Sequence, residues 1–196
     1  NGRNGVMSNL DGKVVLITGA AKGMGAAEAK MAGERGATVI LTDILDYELQ
    51  VTADSLGASF SRLDVTLKED WERVIGETID QHKRIDGLVN NAGIFIQKTL
   101  FDDSQEAFEA MVKVNQLGTY LGIECIAPLM RDQGSGSIVN ISSAAAVGPG
   151  SGPYEESTNE FNAIRWPTVP ILSLLNLSFA FNALLLLRLF CEFNFN

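Results

Sequence analysis

Histidine is nearly missing from this chain: His82 is the only one in 196 residues. A catalytic triad built on histidine is therefore not expected, and neither is a histidine metal site; no metal centre is expected at all. His82 itself lies among Asp80, Gln81, Lys83 and Arg84 near an expected helix end, which sets it as a solvated surface residue. Cysteine is scarce too. Cys125 and Cys191 have neither metal-ligand spacing nor a pairing pattern, so the expectation is a reduced, cytoplasmic protein. Basic residues fall short of acidic ones, 15 against 24, giving a formal charge of -9 and a pI near 4.6. Such a balance argues against a nucleic-acid partner or an anionic membrane surface and fits a small neutral or amphipathic ligand better. Residues Asn1 to Val6 lack an apolar core and read as leader residues rather than a signal peptide. What is present is apolar: 46% of the chain is hydrophobic and 20% charged, which suits one globular domain with a sizeable core.

Glycine is placed where it matters. Thr18-Gly19-Ala20-Ala21-Lys22-Gly23-Met24-Gly25 follows the apolar run Val14-Val15-Leu16-Ile17 and opens a helix-favouring segment from Ala26 to Arg35. Strand, glycine turn and helix point to a phosphate site, with a glycine-rich turn that holds no ligand as the alternative. The first N–H groups of a helix are unpaired and carry the positive end of its dipole, and glycines let the backbone approach an anion. An acidic residue about 20 positions further on completes the dinucleotide pattern, and Asp43 supplies it. The glycine spacing is G-x-x-x-G-x-G rather than the more usual G-x-G-x-x-G.

Beyond Gly36, a helix stop, Ala37–Asp43 reads as a second strand and Tyr47–Leu56 as a helix. Ser59–Val65 reads as a third strand, and Glu69–His82 carries Trp71, Val74, Ile75 and Ile79 at helical spacing. Ile85–Asn91 is a fourth strand, Ser104 to Ile126 or Met130 a long helix broken by Gly134 to Gly136, and Ser137–Ser142 a fifth strand. The alternation predicts an α/β, Rossmann-type doubly wound parallel sheet with helices on both faces. Ligands then sit beyond the carboxyl ends of the strands. Gly19 to Gly25, Asp43, Asp64, Asn90 to Gly93 and Ser142-Ser143 all fall there.

Thr18-Gly19-x-x-x-Gly23-x-Gly25, Asp64-Val65, Asn90-Asn91-Ala92-Gly93, Asn115 and Ser142-Ser143 with a downstream Tyr154 together resemble the classical short-chain dehydrogenase/reductase family. The resemblance runs over about residues 8 to 154. Within it, Leu63-Asp64-Val65-Thr66, Asp86 to Gly93 and Gly136 to Ala145 look most like the bacterial 3α,20β-hydroxysteroid dehydrogenases, and 3-oxoacyl reductases share most of those words. The implied activity is hydride transfer between NAD(H) and a secondary alcohol or ketone, a hydroxysteroid or similar apolar substrate, in a homotetramer; the implied alternatives are an NADPH-dependent 3-oxoacyl thioester reductase and a catalytically impaired dinucleotide-binding protein.

The resemblance assigns Gly19, Lys22, Gly23, Met24 and Gly25 to the cofactor loop, Asp64 and Val65 to the adenine edge, and Asn91, Ala92 and Gly93 to the adenosine and its ribose. A capping role for Asp64 and a sheet-stabilising turn at Asn91 stand beside those readings. Asp43 would accept hydrogen bonds from ribose hydroxyls and repel a 2′-phosphate, which favours NAD. Lys22 pulls the other way, but a flexible, screened lysine weighs less than a carboxylate aimed at the ribose. Asn115 falls to the proton relay, Ser143 to holding the substrate oxygen, with Ser142 as understudy, and Tyr154 to general acid/base work; an exposed helix asparagine and a polar strand end stand beside the readings of Asn115 and of the two serines.

The pattern fails after Tyr154. Ser143 and Tyr154 stand eleven residues apart, shorter than the family's usual spacing. The family's lysine, four residues after the tyrosine, is Thr158 here, and Glu155 and Glu156 would raise the phenol's pKa rather than lower it. A dinucleotide-binding short-chain dehydrogenase domain is expected over 7–160 and an atypical apolar tail over 161–196, with the C-terminal part atypical or truncated. Nothing from Phe161 onward resembles the family; a frameshift or comparable change replacing the natural end is expected. The tail is long enough for a membrane helix, against which Pro170, Asn176 and Asn182 argue.

Overall fold

Five consecutive apolar or hydroxyl residues, Val14–Thr18, form β1, and all five are buried. A strand buried on both faces reads as a continuous apolar run, the mark of a parallel sheet covered by helices on each side. A computed structural model describes residues 10–96, 104–142 and 171–174. In chain order β1 is followed by α1 (Gly23–Glu34), β2 (Thr38–Asp43), α2 (Asp46–Leu56), β3 (Ser59–Arg62), α3 (Lys68–His82), β4 (Gly87–Asn90), α4 (Gln105–Met111), a π-helical segment (Val112–Leu117), α5 (Gly118–Gln133), β5 (Ser137–Ile141) and β6 (Ile171–Leu174). All strand pairs are parallel, in the order β3-β2-β1-β4-β5-β6. This is the expected Rossmann-type doubly wound sheet. Its order reverses between β1 and β4, and that switch point opens a crevice at the carboxyl ends of the strands.

The two faces of β1 feed separate cores, as a period of two requires. Val14 and Leu16 join Ile40, Leu63, Trp71, Val74, Leu88, Ile126 and Ile138 on the side of α3 and α5. Val15 and Ile17 join Ala29, Ala32, Leu41, Leu49 and Ala53 on the side of α1 and α2. The small side chains Gly25, Ala29 and Ala32 along the buried stripe of α1 let that helix lie close to the sheet.

Several boundaries differ from the sequence reading for local reasons. The third strand ends at Arg62 instead of Val65. Leu63 N–H still donates to the Asp43 carbonyl at 2.9 Å, but Asp64 N–H then goes to Asp70 Oδ2 at 2.8 Å. Asp64 Oδ1 accepts from the Thr66 N–H and hydroxyl at 2.9 and 2.7 Å, closing an Asx turn that stops the ladder. The fourth strand begins at Gly87 because Gln133 takes both backbone groups of Ile85, at 3.1 Å to the N–H and 2.9 Å to the carbonyl. The single long helix is interrupted by the π-helical segment, and α5 runs through Pro128 to Gln133 before the left-handed cap at Gly134, φ 69°. His82 is half-buried at the end of α3 rather than fully solvated, with Nε2 enclosed and unpartnered among the described residues. Inside the tail, the backbone of Ile171–Leu174 adds a sixth parallel strand, with Ile138 opposite Ile171 and Ile141 opposite Leu174. Ile171–Leu174, three apolar residues and Ser173, is too short for periodicity to tell strand from helix. Among the described residues no helix is long and apolar enough to cross a membrane.

Candidate active site

The glycine loop is closed by its own chain before any ligand arrives. Gly19 adopts φ +66°, and a Cβ there would stand 2.9 Å from the Ala92 Cα and 3.0 Å from Asn91 Nδ2. At Gly25 a Cβ would overlap the Gly19 carbonyl oxygen and lie 2.6 Å from the same Asn91 nitrogen. Gly23 differs: its φ of +61° demands glycine, while the space beside it is open. Two glycines thus let the loop pack against the turn after β4, and the third lets the chain bend into α1.

That packing is fastened by Thr18 and Asn91. The Thr18 hydroxyl accepts from the N–H groups of Asn91 and Ala92 at 3.0 and 2.9 Å and donates to the Val89 carbonyl at 3.3 Å. Asn91 Nδ2 returns to the Thr18 and Gly19 carbonyls at 2.9 and 3.2 Å. These bonds give Asn91 the sheet-stabilising turn and tie it to the glycine loop. Thr18 belongs to the glycine motif, and its sequence context alone assigns it no role. A threonine at a strand end carries no signal for the carbonyl it will face.

Asp43 ends β2 beside this loop. Its Oδ2 accepts from the Ala21 N–H at 3.0 Å, and its Oδ1 from the Ile44 and Leu45 N–H groups at 2.8 and 3.1 Å. Each carboxylate oxygen has two lone pairs, so the group retains acceptor capacity after these bonds. Lys22, the N-cap residue of α1, and Gly23 are exposed, and Met24 is half-buried. The first turn of α1 holds no acidic residue, whereas α2 begins with Asp46 and Glu48 and α3 with Glu69 and Asp70. The positive end of α1 is left for an anion from elsewhere. A phosphate-bearing dinucleotide fits this donor set: a glycine turn with open space beside Gly23, a helix terminus with no acidic residue in its first turn, and a carboxylate at the next strand end.

Asp64 is held in its Asx turn, as the capping alternative required. Val65 is buried; its carbonyl accepts from Trp71 Nε1 at 3.0 Å, and a Cβ on Gly118 of α5 would press into its side chain. Ala92 is half-buried and Gly93 exposed. Asn115 occupies the π-helical segment, and its amide pairs in both directions with the backbone of Ile94: Nδ2 donates to the carbonyl and Oδ1 accepts from the N–H, each at 2.9 Å. A π-helical turn places an extra residue in the helix, which re-aims Asn115 toward the segment following Gly93. Ser142 follows β5 directly and is half-buried. Ser143, Tyr154 and Thr158 lie outside the described residues, as do Glu155 and Glu156. Among the described residues no group of three or more histidine, cysteine, aspartate or glutamate side chains could hold a metal ion.

One ionisable group on α1 was not singled out from the sequence. Glu28 is buried with neither carboxylate oxygen bonded among the described residues, and burial pushes its carboxyl up to about 8.

Residues 13–155 match the family model described as short chain dehydrogenase. The trans-4-hydroxycyclohexanecarboxylate dehydrogenase of Sinomonas cyclohexanicum is 36% identical over 146 residues, 69% of this chain and 56% of that protein. The cyclopentanol dehydrogenase of Comamonas testosteroni is 35% identical over 159 residues, 77% of this chain and 63% of that protein. The crystal structure of a short chain dehydrogenase/reductase from Burkholderia phymatum in complex with NAD aligns with a TM-score of 0.74 at 28% identity, covering 79% of this chain and 57% of that one. The chain thus spans less than two thirds of the length of each. Neither dehydrogenase is named for a steroid. With a matched family model over most of its length, relatives above one third identity and the same fold, this chain belongs to the short-chain dehydrogenase family.

Proposed function

We propose that residues 7–160 form a dinucleotide-binding domain that takes NAD(H), and that the protein interconverts a secondary alcohol and a ketone on a small apolar substrate. The single observation that carries the cofactor reading is the placement of the Asp43 carboxylate against the Ala21 N–H, between the end of β2 and the glycine loop. A fixed negative charge there favours ribose hydroxyls over a 2′-phosphate, and a like-charge contact costs several kcal/mol. The names of the two dehydrogenases support a cyclic alcohol as substrate. A hydroxysteroid, oxidised or reduced at its 3α or 20β position, is the polycyclic member of that class and remains the proposed substrate; a homo-oligomer, here a tetramer, is the proposed assembly, in the cytoplasm.

In this reading, bound NAD supplies the hydride acceptor. Asp43 holds the adenosine ribose, Asp64 and Val65 border the adenine, and Asn91, Ala92 and Gly93 lie along the adenosine. Asn115 supports the relay, Ser143 holds the substrate oxygen, and Tyr154 takes the hydroxyl proton during oxidation and returns it during reduction. Thr158 favours a second reading, in which the chain binds the dinucleotide but turns over poorly. General acid/base assistance contributes about 10²- to 10⁴-fold, and Tyr154 without a neighbouring cation forfeits much of it. The test is NADH formation from cyclohexanol, cyclopentanol and a 3α-hydroxysteroid. Turnover abolished by Tyr154→Phe supports the enzyme; NADH binding without turnover supports the impaired form.

A further inference from the structure

We infer that Thr52, on α2, is a positioning residue for the dinucleotide, fixing the peptide between Ala21 and Lys22 in the orientation in which the glycine loop receives its ligand. This rests on the dinucleotide reading above and assigns it a residue from an element outside the glycine motif. Ala21 is gripped from two sides. Asp43 Oδ2 accepts its N–H at 3.0 Å, and the Thr52 hydroxyl, 31 residues away in sequence, donates to its carbonyl at 2.6 Å.

The second bond sets a direction. A trans peptide is planar, with its C=O and N–H pointing opposite ways, and no peptide bond among the described residues is cis. Holding the Ala21 oxygen on α2 therefore turns the Lys22 N–H away from α2. Lys22 caps α1 in extended backbone, φ -156° and ψ 179°, and no acceptor among the described residues takes its N–H. That N–H is one of the helix-terminal donors a phosphate-bearing ligand would meet.

Flanked by positive-φ glycines at 19 and 23, this stretch would sample many conformations if unclamped and lose them on binding. The two bonds remove that freedom in the folded protein, which is preorganisation. Packing does not explain Thr52: the buried residues of α2 are Leu49 and Ala53, and Thr52 is half-buried.

The experiment compares the full chain with Thr52→Val, which keeps the shape and loses the donor, and Thr52→Ser, which keeps the donor. Binding of NAD⁺, NADH and ADP-ribose is measured by calorimetry well below each unfolding midpoint, so that a change in global stability does not enter the dissociation constant. Thr52→Val is expected to bind all three about 3- to 10-fold more weakly, the range of one lost hydrogen bond, with Thr52→Ser within about twofold of the parent. Thr52→Ala removes the same hydroxyl and gives the reading if the valine variant does not fold. Unchanged affinity in Thr52→Val or Thr52→Ala overturns the inference, as does a Thr52→Ser variant equally weak, or a loss confined to NAD(H) and absent for ADP-ribose. A parent chain that binds none of the three ligands refutes the dinucleotide reading and this inference with it, whereas a binding parent with an indifferent Thr52→Val refutes the inference alone.

Discussion

Glu28 places an ionisable side chain in the buried stripe of α1, next to Ala29 and one turn from Gly25. Its carboxyl is raised from 4.5 to about 8 by burial, so between those values the folded chain holds a proton that the unfolded chain has released. Stability from this group is therefore fully present below pH 4.5 and is lost as pH rises through about 8. Replacing Glu28 with Gln removes the titration. Glu28→Gln is expected to match the parent near pH 4.5 and to exceed it increasingly toward pH 9, by at most about 5 kcal/mol; urea midpoints at pH 5, 7 and 9 check this. A constant difference across that range would contradict the burial of an ionisable group.

At the scale of the element, the unit that matters is β1, the glycine loop and α1. Gly25 lets α1 start directly over the Gly19 carbonyl, so Gly25→Ala forces loop and helix apart. The expected result is a stability loss of about 1–3 kcal/mol with NADH affinity down by more than tenfold, read by thermal melts and fluorescence titration. Gly23→Ala should strain the turn without that clash, since the space beside Gly23 is open. This unit was legible in the sequence because its chemistry demands particular residues: glycine where φ is positive or a Cβ has no room, and a carboxylate at the end of the next strand. Thr18 and Thr52 were not legible as site builders. Their work depends on which carbonyl stands opposite, 71 residues away for Thr18 and 31 for Thr52. The interruption of the long helix was likewise hidden, because a π-helical turn leaves no periodic mark at six residues. Asn115 has poor helix propensity, and two hydrogen bonds to Ile94 compensate it.

For the whole molecule, the two ends of the sheet differ: one carries the candidate site and the other a set of fastening contacts. At the fastening end, Asp86 accepts from the Val14 N–H at 3.0 Å, is bidentate with Arg84 and lies 3.5 Å from Lys13. Burial alone would raise its carboxyl, but the Arg84 and Val14 hydrogen bonds and the charges of Arg84 and Lys13 outweigh that and hold it below the usual carboxylate range. Its stabilising contribution is present above pH 3.8 and lost as pH falls below it. Asp86→Asn should therefore destabilise the chain by about 1–2 kcal/mol at pH 7 and leave NADH affinity unchanged, because the β1–β4 crevice is at the other end of the strands. Both ends of the sheet follow from a parallel topology that the alternation of elements made readable, while β6 is a four-residue stretch too short for periodicity to assign.

The proposed function requires that this polypeptide bind a nicotinamide dinucleotide and that Asp43 set its preference. Parallel fluorescence titrations with NADH and NADPH test it most directly. Saturable binding of one NADH per chain, at least about tenfold tighter than NADPH and with the preference reduced in Asp43→Asn, is the predicted result. Tighter binding of NADPH, or no saturable binding of either cofactor, would contradict it.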